Sequence, residues 1–112
     1  MSTIVDGAPA EARLAPSTVG SVVLDVGGDV GALLVSALAA QCGQEIDLVP
    51  QADGVALTHT EVRERRLPTG SVYAAVFPGV QAGLYCLRTA DGLEAPIAVA
   101  GGQVTTVPWP AS

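Results

Sequence analysis

The side chains best equipped for chemistry sit in one stretch, THTEVRERR, from Thr58 to Arg66, which holds the single histidine and three of the five arginines of the chain. On a strand, successive side chains alternate between faces, so His59, Glu61, Arg63 and Arg65 share one face and Thr58, Thr60, Val62, Glu64 and Arg66 the other. Neither face is apolar, and such a strand belongs at a sheet edge or in a long hairpin with the strand that begins at Ser71. The planar forks of Arg63 and Arg65 suit a carboxylate or a phosphate, with His59 and Glu61 adjusting the local charge. Catalysis is the rival use: His59, with a nearby serine or Glu61, as the base of a small esterase or phospholipase-like hydrolase. That reaction also needs an oriented nucleophile and an oxyanion donor, and the sequence contains no GxSxG elbow. The plainest use is a solvated edge whose mixed charges discourage edge-to-edge pairing.

Other candidates for chemistry are sparser. GGDVG, within Val23 to Leu34, lacks the lysine of a phosphate loop and reads as a tight turn between strands, with Asp29 bonding its own backbone. Asp25, Asp29 and Asp47 form a cation site only if the fold gathers them. Cys42 and Cys86 carry no partner at metal-ligand spacing and read as two small apolar residues in or beside a core. VPWP, Val107 to Pro110, places the only tryptophan between two prolines, where it packs over an open end of the core or anchors a partner protein. His59, Glu61, Arg63, Arg65, Arg66 and Trp109 are therefore the expected partner-binding residues. No catalytic residue, metal or cofactor is assigned, and a small-ligand or metal binder is kept as an alternative.

The elements that must position these residues are short. The chain has 112 residues, 49% of them hydrophobic and only 4% aromatic, with 13 Gly, 8 Pro and neither lysine nor asparagine. The last two absences point to a GC-rich, bacterial coding genome. Branched residues between frequent breakers suit an all-β domain. Apolar runs fall at 19–26, 30–37, 44–49, 55–67, 71–77, 83–88, 95–100 and 103–109, separated by GGD, PQADG, LPTG, PGVQAG, ADG and GG. Each separator reads as a reversal. The expected architecture is an antiparallel Greek-key β-sandwich of seven or eight strands over residues 19–112, preceded by a flexible leader over residues 1–18. In ALLVSALAAQC the Leu and Ala content also suits a short helix, so strand is assigned only to about Ser36.

VFPGVQAGLYCLR, residues 76 to 88, shows how two strands meet. Tyr73, Ala75 and Phe77 alternate with Val72, Ala74 and Val76; Pro78-Gly79 and Ala82-Gly83 then turn the chain before Leu84-Tyr85-Cys86-Leu87. A tyrosine just after such a corner can bury its ring while its hydroxyl bonds the nearby backbone. This stretch resembles the "F-x-x-L-x-x-G-x-Y-x-L" corner of carboxypeptidase regulatory-like and Cna-B-type domains, and DGLEAPIAVAGGQVTTVPW resembles their closing strands. The resemblance implies a prealbumin-like sandwich acting as a non-catalytic stalk, partner or binding module. Other sandwiches fit less well: Trp109 follows both cysteines, against the immunoglobulin order, and one histidine with a PWPAS ending departs from hydroxyisourate hydrolase.

Five arginines against eleven acidic residues give a formal charge of −6, which repels nucleic-acid backbones and anionic membrane surfaces. The first residues lack the pattern of a secretory signal, and Val30 to Gln44 is too short to span ~30 Å of hydrocarbon. The sequence thus suggests a cytoplasmic accessory or structural subunit whose partner is another protein or a larger complex, with self-association left open.

Overall fold

Two patterns of apolar spacing sort the strands into two kinds. Along Gly83–Thr89 and Glu94–Val99, buried and more open positions alternate, the mark of a sheet with one covered face. Through Gly31–Val35 and Ala74–Phe77 burial is nearly continuous, as in strands covered on both faces. The computed structural model, which describes residues 18–19, 22–24 and 26–111, assigns these two kinds to different sheets.

In chain order the strands are β1 (Thr18–Val19), β2 (Val22–Val23), β3 (Val30–Ala37), β4 (Glu45–Pro50), β5 (Thr58–Glu61), β6 (Arg63–Leu67), β7 (Gly70–Gln81), β8 (Gly83–Thr89), β9 (Glu94–Val99) and β10 (Val104–Pro108). Sheet I has the order β10-β3-β7-β6 and sheet II the order β5-β4-β8-β9, while β1 and β2 form a separate two-stranded pair. The protein is thus all-β, with two four-stranded sheets in a sandwich-like arrangement. Three hairpins, β4–β5, β6–β7 and β8–β9, are dealt alternately to sheet II, sheet I and sheet II. Among the described residues no helix is long and apolar enough to cross a membrane.

Leu33, Val35, Ala75, Phe77 and Val80 of sheet I meet Ile46, Leu48, Tyr85, Leu87, Ile97 and Val99 of sheet II in the main core. Each large aliphatic side chain buried there contributes roughly 1.5–3 kcal/mol of transfer free energy. A smaller cluster of Leu24, Ala32, Ala74 and Val76 covers the other face of sheet I, with Val26 and Leu34 packed against it. This second layer explains the continuous apolar runs of β3 and β7.

Several expectations change in the structure. The run 19–26 is not one strand: Val19 pairs with Val22 and Thr18 with Val23 as a short antiparallel pair. The leader expected over residues 1–18 falls, but for Thr18, outside the described residues. Not every pairing is antiparallel, because β10 runs parallel to β3, with Val104 beside Ala32 and Pro108 beside Ser36. ALLVSALAAQC continues as strand to Ala37 and then makes a single 3-10 turn, Ala39–Gln41, where the Leu38 amide donates to Gln41 Oε1 at 2.8 Å.

Pro78-Gly79 is not a reversal either. β7 runs straight through it, and the register with β3 slips there, from Leu33 opposite Phe77 to Gly31 opposite Val80. One more residue on β7 than on β3 lies between these pairs, which is a β-bulge, and a bulge is one of the few places inside a sheet that admits proline. The GGD segment does form a tight turn: Gly27 and Val30 exchange two backbone hydrogen bonds of 2.9 Å around Gly28, which has φ of 57°. That turn presses on the one between β9 and β10. A Cβ on Gly31 would collide with the Ala100 carbonyl oxygen, and one on Gly101 with the Gly28 carbonyl oxygen.

The corner after β7 is latched by its tyrosine. The Tyr85 ring is buried in the main core, and its hydroxyl donates to the Gln81 carbonyl oxygen at 2.6 Å. Tyr85→Phe keeps the ring and leaves that part-buried carbonyl without this donor. The expected cost is about 1 kcal/mol, read as a lower urea midpoint at unchanged slope.

Candidate functional site

The Thr58 to Arg66 segment is an edge in both sheets, because the chain leaves sheet II and enters sheet I in the middle of it. Val62 is the crossing residue. Its amide donates to the Gln44 carbonyl at 2.9 Å, its carbonyl accepts from the Gly43 amide at 2.8 Å, and its side chain is buried in the main core. The crossing changes which side chains share a face. His59 and Glu61, opposite Asp47 and Glu45, lie on the outer face of sheet II. Arg63 and Arg65, opposite Ala74 and Val72, share the side of sheet I that carries the second apolar cluster. The single uninterrupted face expected for His59, Glu61, Arg63 and Arg65 is therefore broken in two, and the segment is not wholly polar: Val62 and Arg65 are both buried.

A shallow groove of about 660 Å³ lies at the crossing, lined by Cys42, Gly43, Glu61, Val62, Arg63, Glu64 and Arg65. Most of its charges are occupied. Arg63 Nη2 is 2.8 Å from Glu61 Oε1, Glu64 Oε2 accepts from Ser71 Oγ at 2.6 Å, and Arg66 Nε stands 4.0 Å from Glu64 Oε2. Arg65 differs: only 7% exposed, it makes one long hydrogen bond of 3.4 Å from Nη2 to the Ala74 carbonyl, and its Nε is buried without a partner. Desolvation, followed by the neighbouring charge of Arg63, lowers its pKa from the usual arginine value. Arginine nevertheless remains protonated at neutral pH.

Trp109 lies apart from this groove. It continues the β10 ladder, its amide donating to the Ser36 carbonyl at 2.9 Å, and its ring packs against the main core. β10 and β6 are the two opposite edges of sheet I, with β3 and β7 between them. At ~4.8 Å per strand the separation is about 14 Å. The prolines beside Trp109 follow from the same geometry. Gln103 and Trp109 direct backbone groups to β3, so the even positions Val104, Thr106 and Pro108 direct theirs outward, where proline has no N–H to offer. Pro96 is placed likewise on β9: the Thr89 amide bonds the Leu93 carbonyl, which sets the pairs at Leu87/Ala95 and Tyr85/Ile97 as the hydrogen-bonded ones and turns Pro96 outward.

The outer face of sheet II was not singled out by the sequence. Its rows can be read from the register. His59, Asp47, Arg88 and Glu94 lie in one transverse row over all four strands, with Arg88 Nε 3.2 Å from Glu94 Oε2. The next row of the same face is apolar: Val49, Cys86 and Pro96. Beyond it come Leu84, 62% exposed, and Ala98. The face is thus charged at one end and apolar at the other. Its residues come from four strands, and only the strand alternation of Leu84, Cys86 and Arg88 hinted at it.

Among the described residues no three His, Cys, Asp or Glu side chains gather closely enough to hold a metal ion, and Asp25 lies outside those residues. Cys42 is exposed rather than at a core, Cys86 is half-buried, and both are free thiols. No family model, curated protein or solved structure matches the chain.

The two thiols differ in access, so a brief pulse of iodoacetamide on the folded chain is expected to label Cys42 first. Peptide mass spectrometry reads the outcome, and equal labelling of Cys86 would contradict the packing of the sheet II face.

Proposed function

We propose that the protein is a non-catalytic binding module, a small accessory or structural subunit that attaches to another protein or a larger complex. The observation that carries this reading is the outer face of sheet II. Sheet I has a second apolar layer over its outer face, whereas sheet II presents Leu84, Pro96 and Ala98 to solvent beside the row His59, Asp47, Arg88 and Glu94. Exposed apolar surface rimmed by charge is the composition of protein interfaces, and Leu84 stands where it can enter a partner's pocket. Glu45, Asp47, Glu61 and Glu94 outnumber Arg88 on this face, which favours a partner with basic residues around its contact.

A prealbumin-like Greek-key sandwich of the carboxypeptidase regulatory-like or Cna-B kind is the family reading we attach to this function. The latched tyrosine corner and the two sheets of four strands support it. Domains of that kind work by presenting surfaces.

The proposal is tested with tagged full-length chain expressed in its native host. Wild type is expected to retain a stoichiometric protein partner, and Leu84→Glu to weaken that complex at least about tenfold while the far-ultraviolet circular dichroism and melting temperature stay unchanged. Wild type that elutes alone, or a partner held equally by Leu84→Glu, would overturn the assignment.

A further inference from the structure

The groove at the crossing holds an arginine whose placement nothing else in the described structure explains. Arg65 is more than nine-tenths buried, sits opposite Val72 on a side of sheet I that it shares with Ala74, and among the described residues has no carboxylate partner. A buried guanidinium without a counter-charge is costly, and a buried N–H without an acceptor adds to the cost. A methionine or leucine would fill the same space without either penalty.

We infer that this groove is a carboxylate-binding site, in which Arg65 is the anchoring cation. The inference stands independently of the sheet II face. The groove carboxylates are engaged elsewhere, Glu61 by Arg63 at 2.8 Å and Glu64 by Ser71 at 2.6 Å. An incoming carboxylate is a planar acceptor that matches the guanidinium fork. It carries one charge, so its repulsion from Glu61 and Glu64 is smaller than that of a phosphate bearing nearly two. The ligand class is therefore a monoanionic carboxylate. The groove, lined by Cys42, Gly43, Glu61, Val62 and Arg63 to Arg65, has room for the few atoms attached to that carboxylate. Binding displaces the long contact to Ala74 and supplies the acceptor that Nε lacks.

The test follows the Nε–H groups of the full-length chain by two-dimensional nitrogen-proton NMR. Arg65→Lys identifies the Arg65 signal by its disappearance. Sodium acetate, titrated against sodium chloride at matched ionic strength, is expected to move the Arg65 signal and the Gly43 and Val62 amides saturably. Sodium phosphate should move them less. In Arg65→Lys the same amides are expected to respond with about tenfold weaker affinity, since lysine lacks the fork. Identical shifts with acetate and chloride would overturn the site, and a stronger response to phosphate would overturn its carboxylate preference. The two overturning results are read from the wild type, whose Gly43 and Val62 amides report binding even where the variant folds poorly.

Discussion

The two sheets are joined at their middle strands through one residue. β7 of sheet I ends at Gln81, β8 of sheet II begins at Gly83, and only Ala82 lies between them. The corner fixes how one sheet lies over the other, and with it which side chains meet in the core. Tyr85 holds it from both directions, its ring packed among Leu87, Ile97 and Val99 and its hydroxyl on the last residue of the incoming strand. A Phe or Leu would supply the apolar contact but not the tie to the backbone. The tie costs little because the donor and acceptor are four residues apart and already brought together by the turn.

A second constraint shapes the rim. Among the described residues each sheet has two open edges, and each edge carries a residue that makes pairing with another chain difficult. β9 and β10 use proline at an outward position, Pro96 and Pro108. β5 and β6 use charge, with His59 and Glu61 on one and Arg63 to Arg66 on the other. The polar segment that looks most like a reactive site in the primary structure is in the first instance the common edge of two sheets. Only Arg65 exceeds that role, since a buried charge does nothing to protect an edge.

Much of the fold is legible in the amino-acid order because β strands here are local signals. VGALLVSA, EIDLV, GLYCLRT and APIAV each carry enough branched or apolar residues, between Gly and Pro breakers, to be placed to within a residue or two. The tyrosine corner was legible for the same reason, since the acceptor of its hydroxyl lies only four residues back. Pro78-Gly79 misleads because the dipeptide has the chemistry of a turn, and only the pairing partner β3 reveals that the chain goes straight on. The candidate site was less legible. His59, Asp47, Arg88 and Glu94 lie on four strands, and their alignment depends on registers that no spacing along the chain encodes. Val62 looked like one more position on a polar strand; that it carries the chain from sheet to sheet follows from its bonds to Gly43 and Gln44.

The parallel seat of β10 beside β3 reaches across the greatest sequence distance in sheet I, as the bond from Ser36 Oγ to the Val107 carbonyl, 71 positions on, makes plain. During translation β3 emerges long before the strand that will flank it. The nascent chain therefore carries an uncharged, apolar edge, VGALLVSA, through most of the sandwich's synthesis. Such a chain is most exposed to wrong association on the ribosome, and any truncation that removes β10 makes that temporary state permanent.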